Sequence, residues 1–85
     1  MAELIHEHST NVRGENGKTY HVRVWAAERT DGTWEGWLEF DRTDGSRSLR
    51  TQRERSQPNR AAVDYWTAGL EPIYLDGAFA RARMR

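Results

Sequence analysis

Cysteine is absent from the 85 residues, so no disulfide framework, thiolate nucleophile or cysteine-based zinc site is available. Net charge is absent too: thirteen basic side chains balance thirteen acidic ones, which excludes a bulk polycation built for non-specific nucleic-acid binding. No apolar run approaches the roughly 18 residues of a membrane span, and Met1-Ala2-Glu3 does not open a signal peptide. A cytoplasmic protein is therefore expected. Lysine is nearly missing, with Lys18 alone against twelve arginines. Such usage accords with a GC-rich bacterial genome, and it also supplies planar donor forks suited to carboxylate, phosphate and aromatic faces.

What is present is a modest apolar fraction, 36%, and an excess of tryptophan, four residues in all. That suffices for one domain, residues 1–85, with a single core worth only about 3–5 kcal/mol. The charge balance is local rather than uniform. Residues 1–41 carry a net of −4 and residues 42–60 a net of +4, with Arg81, Arg83 and Arg85 closing the chain.

Residues 19–29 and 33–42 each alternate apolar and polar side chains, and Asp31-Gly32 between them signals a hairpin. A two-residue loop would set Val24 against Glu39. A three-residue loop, Thr30-Asp31-Gly32 with Gly32 left-handed, sets Val22 against Phe40 and Val24 against Leu38. On the other face it pairs His21 with Asp41, Arg23 with Glu39 and Trp25 with Trp37. A second Thr-Asp-Gly at 43–45 leads to a strand near 46–52, with Phe40 facing Leu49 and Glu39 facing Arg50. Residues 19–52 thus read as a three-stranded antiparallel meander. Asn16-Gly17 suggests a preceding turn, and residues 1–15 an edge strand or flexible segment.

Ser56-Gln57-Pro58 reads as the start of a helix over 57–69, with Ala62, Val63, Trp66 and Leu70 as its apolar stripe and Gly69 as its stop. Within 72–85, Ile73-Tyr74-Leu75 reads as extended and residues 77–83 as a short helix packing through Phe79. The expected fold class is α+β: a three- or four-stranded antiparallel meander, one main helix on one face, and a short C-terminal helix.

A helix covers one side of such a sheet, which leaves Trp25 and Trp37 side by side on the other. This pair, flanked by Arg23, Glu39 and Arg50, points to contact with a protein partner or a second copy of the chain, unless residues 1–12 or 72–85 cover it. The alternative is a nucleic-acid-binding domain using Arg47, Arg50, Arg53, Arg55 and Arg60 with sheet aromatics. Glu35, Glu39 and Asp41 on the tryptophan face argue against phosphate there.

Enzymatic chemistry finds no footing. The serines lack a nucleophile setting, residues 14–17 are too short and acidic for a phosphate-cradling loop, and Glu39 between two arginines suits an ion pair better than a general acid. His6 and His8 alternate, and His21 is a conceivable third metal ligand. That spacing is weak grounds for a site, so neither metal nor cofactor is expected.

Overall fold

A computed structural model describes residues 1–14 and 17–84. Its elements in chain order are β1 (Ala2–Arg13), β2 (Thr19–Glu28), β3 (Trp34–Arg42), β4 (Ser48–Arg50), β5 (Arg55–Gln57), α1 (Arg60–Ala68), α2 (Pro72–Arg81) and β6 (Arg83–Met84). The fold is α+β, with an antiparallel sheet of six strands in the order β1-β2-β3-β4-β6 and β5 beside β4 along the same edge of β3.

The first hairpin has the register that side-chain matching requires: Val22 opposes Phe40, Val24 Leu38, Arg23 Glu39 and Trp25 Trp37. Its loop is Thr30–Gly32, closed by the Arg29 amide donating to Thr33 O (2.7 Å), with Gly32 at φ +88°. Asp31 Oδ1 accepts from the Thr33 amide (2.9 Å) and hydroxyl (2.6 Å). The second turn repeats the device, with Asp44 Oδ1 accepting from the Ser46 amide (3.0 Å) and hydroxyl (2.6 Å). Those bonds hold the Asp44 carboxyl down at about 2. Each aspartate replaces a backbone acceptor in its turn, which is why the Thr-Asp-Gly triplet recurs. Asn16, half of the expected earlier turn, lies outside the described residues.

Val22, Val24, Leu38 and Phe40 are fully buried on one face of the sheet. Burying each such side chain contributes about 1.5–3 kcal/mol. Both helices pack on this face. Trp66 of α1 lies so close to Gly36 that a Cβ there would come within 2.8 Å of its ring, so the glycine is what lets the helix approach. Phe79 of α2 sits 4.9 Å from the Tyr20 ring and 5.2 Å from the Phe40 ring, between centroids.

Three expectations are corrected. The first helix begins at Arg60, not residue 57, with Asn59 as its cap and the Asn59 side chain accepting from the Ala62 amide (2.9 Å). Residues 55–57 instead pair with Trp34–Gly36, because β4 ends at Arg50 and leaves that stretch of β3 needing partners. Ile73-Tyr74-Leu75 is helical rather than extended. Pro72 opens a ten-residue helix, not a short one over 77–83, and Leu75, Ala78, Phe79 and Ala82 recur at helical spacing into the core.

Between β4 and β5 the edge of β3 is held by Thr51. Its amide donates to Leu38 O (2.9 Å) and its buried hydroxyl accepts from the Leu38 amide (3.1 Å). The Glu54 amide then donates to Gly36 O (2.8 Å), so the chain leaves the sheet only at Gln52 and Arg53.

Candidate functional site

With both helices on one face, the opposite face is left to side chains. Two rows cross it. One runs Leu4–Trp25–Trp37 over β1, β2 and β3. The other runs Glu7–Arg23–Glu39–Arg50–Arg83 over five strands. Trp25, Trp37, Arg23, Glu39 and Arg50 therefore lie in neighbouring rows, brought together by the hairpin register.

Interactions between the rows are diagonal. Trp25 Nε1 donates to Glu39 Oε1 (3.0 Å), and the Arg50 guanidinium lies 4.7 Å above the centre of the Trp37 ring. Arg23 Nε donates to Glu7 Oε1 (2.6 Å), its Nη1 donates to Asp41, and the Ser48 hydroxyl donates to Asp41 Oδ1 (2.5 Å). The bonds to Glu7 and Asp41 raise the Arg23 pKa further above its ordinary value.

One part of the expected surface needs correction. Trp37 is only 8% exposed and Glu39 only 6%, because Arg50 roofs the indole and Trp25 leans on the carboxylate. Trp25 is half-buried and Leu4 is 43% exposed, so these two, not the tryptophan pair, present the accessible apolar contact. Beside them lies a shallow depression of about 100 Å³, bordered by Ala2, Trp25, Trp37, Glu39 and Arg50. Among the described residues neither terminal segment roofs this face: residues 2–13 flank β2 as a strand, and α2 packs into the opposite core.

The five arginines of the nucleic-acid alternative do not converge. Arg60 pairs with Glu3 (3.1 Å), Arg55 borders a depression with Tyr65 and Trp66, and Arg47 lies in another with Arg13. Only Arg50 and Arg53 share a groove, and their companions there are Arg81 and Arg83. Arg85 lies outside the described residues. Nor do the three histidines form one cluster, although His8 and His21 border a common depression with Glu7 and Arg23. His6 and His8 oppose Val24 and Val22 toward the helix side, with rings 4.5 Å apart, whereas His21 opposes Asp41 on the other face. Burial and the neighbouring His6 lower the pKa of His8. Among the described residues no three His, Cys, Asp or Glu side chains form a group able to hold a metal.

Leu4 and Glu7 were hidden in the sequence by the irregularity of β1. A register shift between Leu4 and His6 reverses which residues face which side, so strict alternation cannot place both on one face. No described helix is long and apolar enough to cross a membrane. Comparison with protein families, with curated proteins and with solved structures finds no match to this chain.

Proposed function

We propose that this domain is a non-enzymatic interaction module whose protein partner, or a second copy of the chain, seats on the Leu4–Trp25–Trp37 side of the sheet. One observation carries the reading: both helices occupy the opposite face, so Leu4 and Trp25 of this row meet solvent with no helix over them. Two features support it. The row ends on β1, an edge strand of twelve residues that among the described residues pairs with β2 alone, so a partner can contact the row and the strand edge together. Charges of both signs surround the row, as at the polar rim of a protein interface.

The test is sedimentation of the native chain across concentration, with affinity purification from the host. Trp25→Ala combined with Leu4→Glu should abolish association while the circular dichroism spectrum stays native. A native chain that remains monomeric throughout, and recovers no partner lost by that variant, overturns the reading. Nucleic-acid binding remains the second reading, narrowed to Arg50 and Arg53, because these alone of its five arginines share a groove.

A further inference from the structure

Where the chain leaves the sheet at Gln52 and Arg53, it walls a groove of about 780 Å³ whose other side is the end of α2 and β6. Four guanidinium groups line it, from Arg50, Arg53, Arg81 and Arg83, in a chain whose overall charge is zero. Among the described residues that line it, the one carboxylate belongs to Glu54, and that carboxylate is already engaged. Arg81 donates to it through Nη2 (2.5 Å) and Nε (3.2 Å), and the Tyr74 hydroxyl donates at 2.7 Å. The Glu54 side chain is only 9% exposed. Burial opposes its charge, but the bonds from Arg81 and Tyr74 outweigh that and lower its pKa, while burial and Glu54 push the Tyr74 hydroxyl up to about 12. A ligand entering the groove therefore meets cations, with the Glu54 carboxylate neutralised at the wall.

The cations are placed at a cost. Arg50 and Arg83 are direct cross-strand partners on β4 and β6, an arrangement of like charges that disfavours the pairing of a strand only two residues long. Neither Arg53 nor Arg83 makes an ion pair with another described residue. Three of the four groups are nonetheless oriented. Arg50 stacks on Trp37, Arg81 is gripped by Glu54, and Arg83 Nη1 donates to the carbonyls of Ala82 (3.0 Å) and Ala80 (3.4 Å). Each guanidinium has five N–H donors, so these contacts use only some of the donors it could offer a ligand.

We infer that this groove is a binding site for a phosphate-bearing ligand with two or more negative charges, which bridges Arg50, Arg53 and Arg83. The phosphate rather than a base is the recognised group, because among the described residues no aromatic side chain lines the groove to stack one. The groove shares Arg50 with the tryptophan row, but Arg53 and Arg83 take no part in the contacts among Trp25, Trp37 and Glu39, so changes at those two test the groove by itself.

The experiment is an NMR titration of the full chain with pyrophosphate at low salt, repeated with a short single-stranded oligonucleotide as competitor. Saturable shifts confined to residues 50–54 and 81–84 are expected, weakening steeply as salt is added. Arg53→Gln and Arg83→Gln should each weaken binding about tenfold, and Arg47→Gln, outside the groove, should leave it unchanged. Displacement by the oligonucleotide assigns the phosphate to a nucleic-acid backbone, and failure to displace assigns it to a small ligand; both uphold the site. Absence of binding by both probes, or binding indifferent to Arg53→Gln, overturns it. Arg53 is exposed and forms no ion pair with another described residue, so its variant tests the groove without loss of the fold.

Discussion

The two faces of the sheet are built from alternate residues of the same strands, yet they are held by different physics. Toward the helices, Val22, Val24, Leu38 and Phe40 exclude water and contribute by burial and shape. Away from them, indoles, carboxylates and guanidinium groups pack nearly as tightly around Trp37 and Glu39, but through directed contacts. Tight packing alone does not mark a core: what separates the faces is whether a helix or a mesh of polar side chains keeps water out.

That contrast makes measurable demands. Phe40→Ala should have the largest effect, about 3–5 kcal/mol by urea denaturation, enough to unfold most of a domain of this size. Gly36→Ala should come next, at about 1–3 kcal/mol, because the new methyl displaces Trp66 from the sheet; a tryptophan fluorescence shift should accompany the loss. Arg23→Ala should cost least, about 1 kcal/mol or below, since its pairs with Glu7 and Asp41 are partly solvated, and that cost should shrink further at high salt. Equal losses for Phe40→Ala and Arg23→Ala would erase the distinction between the faces.

The central hairpin could be read from the chain because apolar, ionic and aromatic pairs all select one register, and a slip of one residue damages every pair at once. Elements settled by longer-range need were harder to see. Residues 55–57 carry no strand pattern, and they extend because β3 has an unpaired edge at Trp34–Gly36. The second helix was hidden by Ile73-Tyr74-Leu75, a β-favouring triplet, although the Leu75–Ala78–Phe79–Ala82 spacing was there to find. At the candidate site the Trp25–Trp37 pair followed from register alone. Its roof did not, because the side-chain length that lets Arg50 reach Trp37 leaves no mark in an alternation pattern. The arginine groove was harder still, since its two halves are separated by about thirty residues and meet only because β6 returns to β4.

Thr51 clamps the midpoint of the β3 edge through both its amide and its hydroxyl, so the chain between this clamp and Glu54 can be rewritten independently of the strands on either side. Residues inserted between Gln52 and Arg53 would change the width and reach of that wall while β4 and β5 keep their alignment. The domain thereby offers a graft point for new surface chemistry whose position is guaranteed by a single threonine.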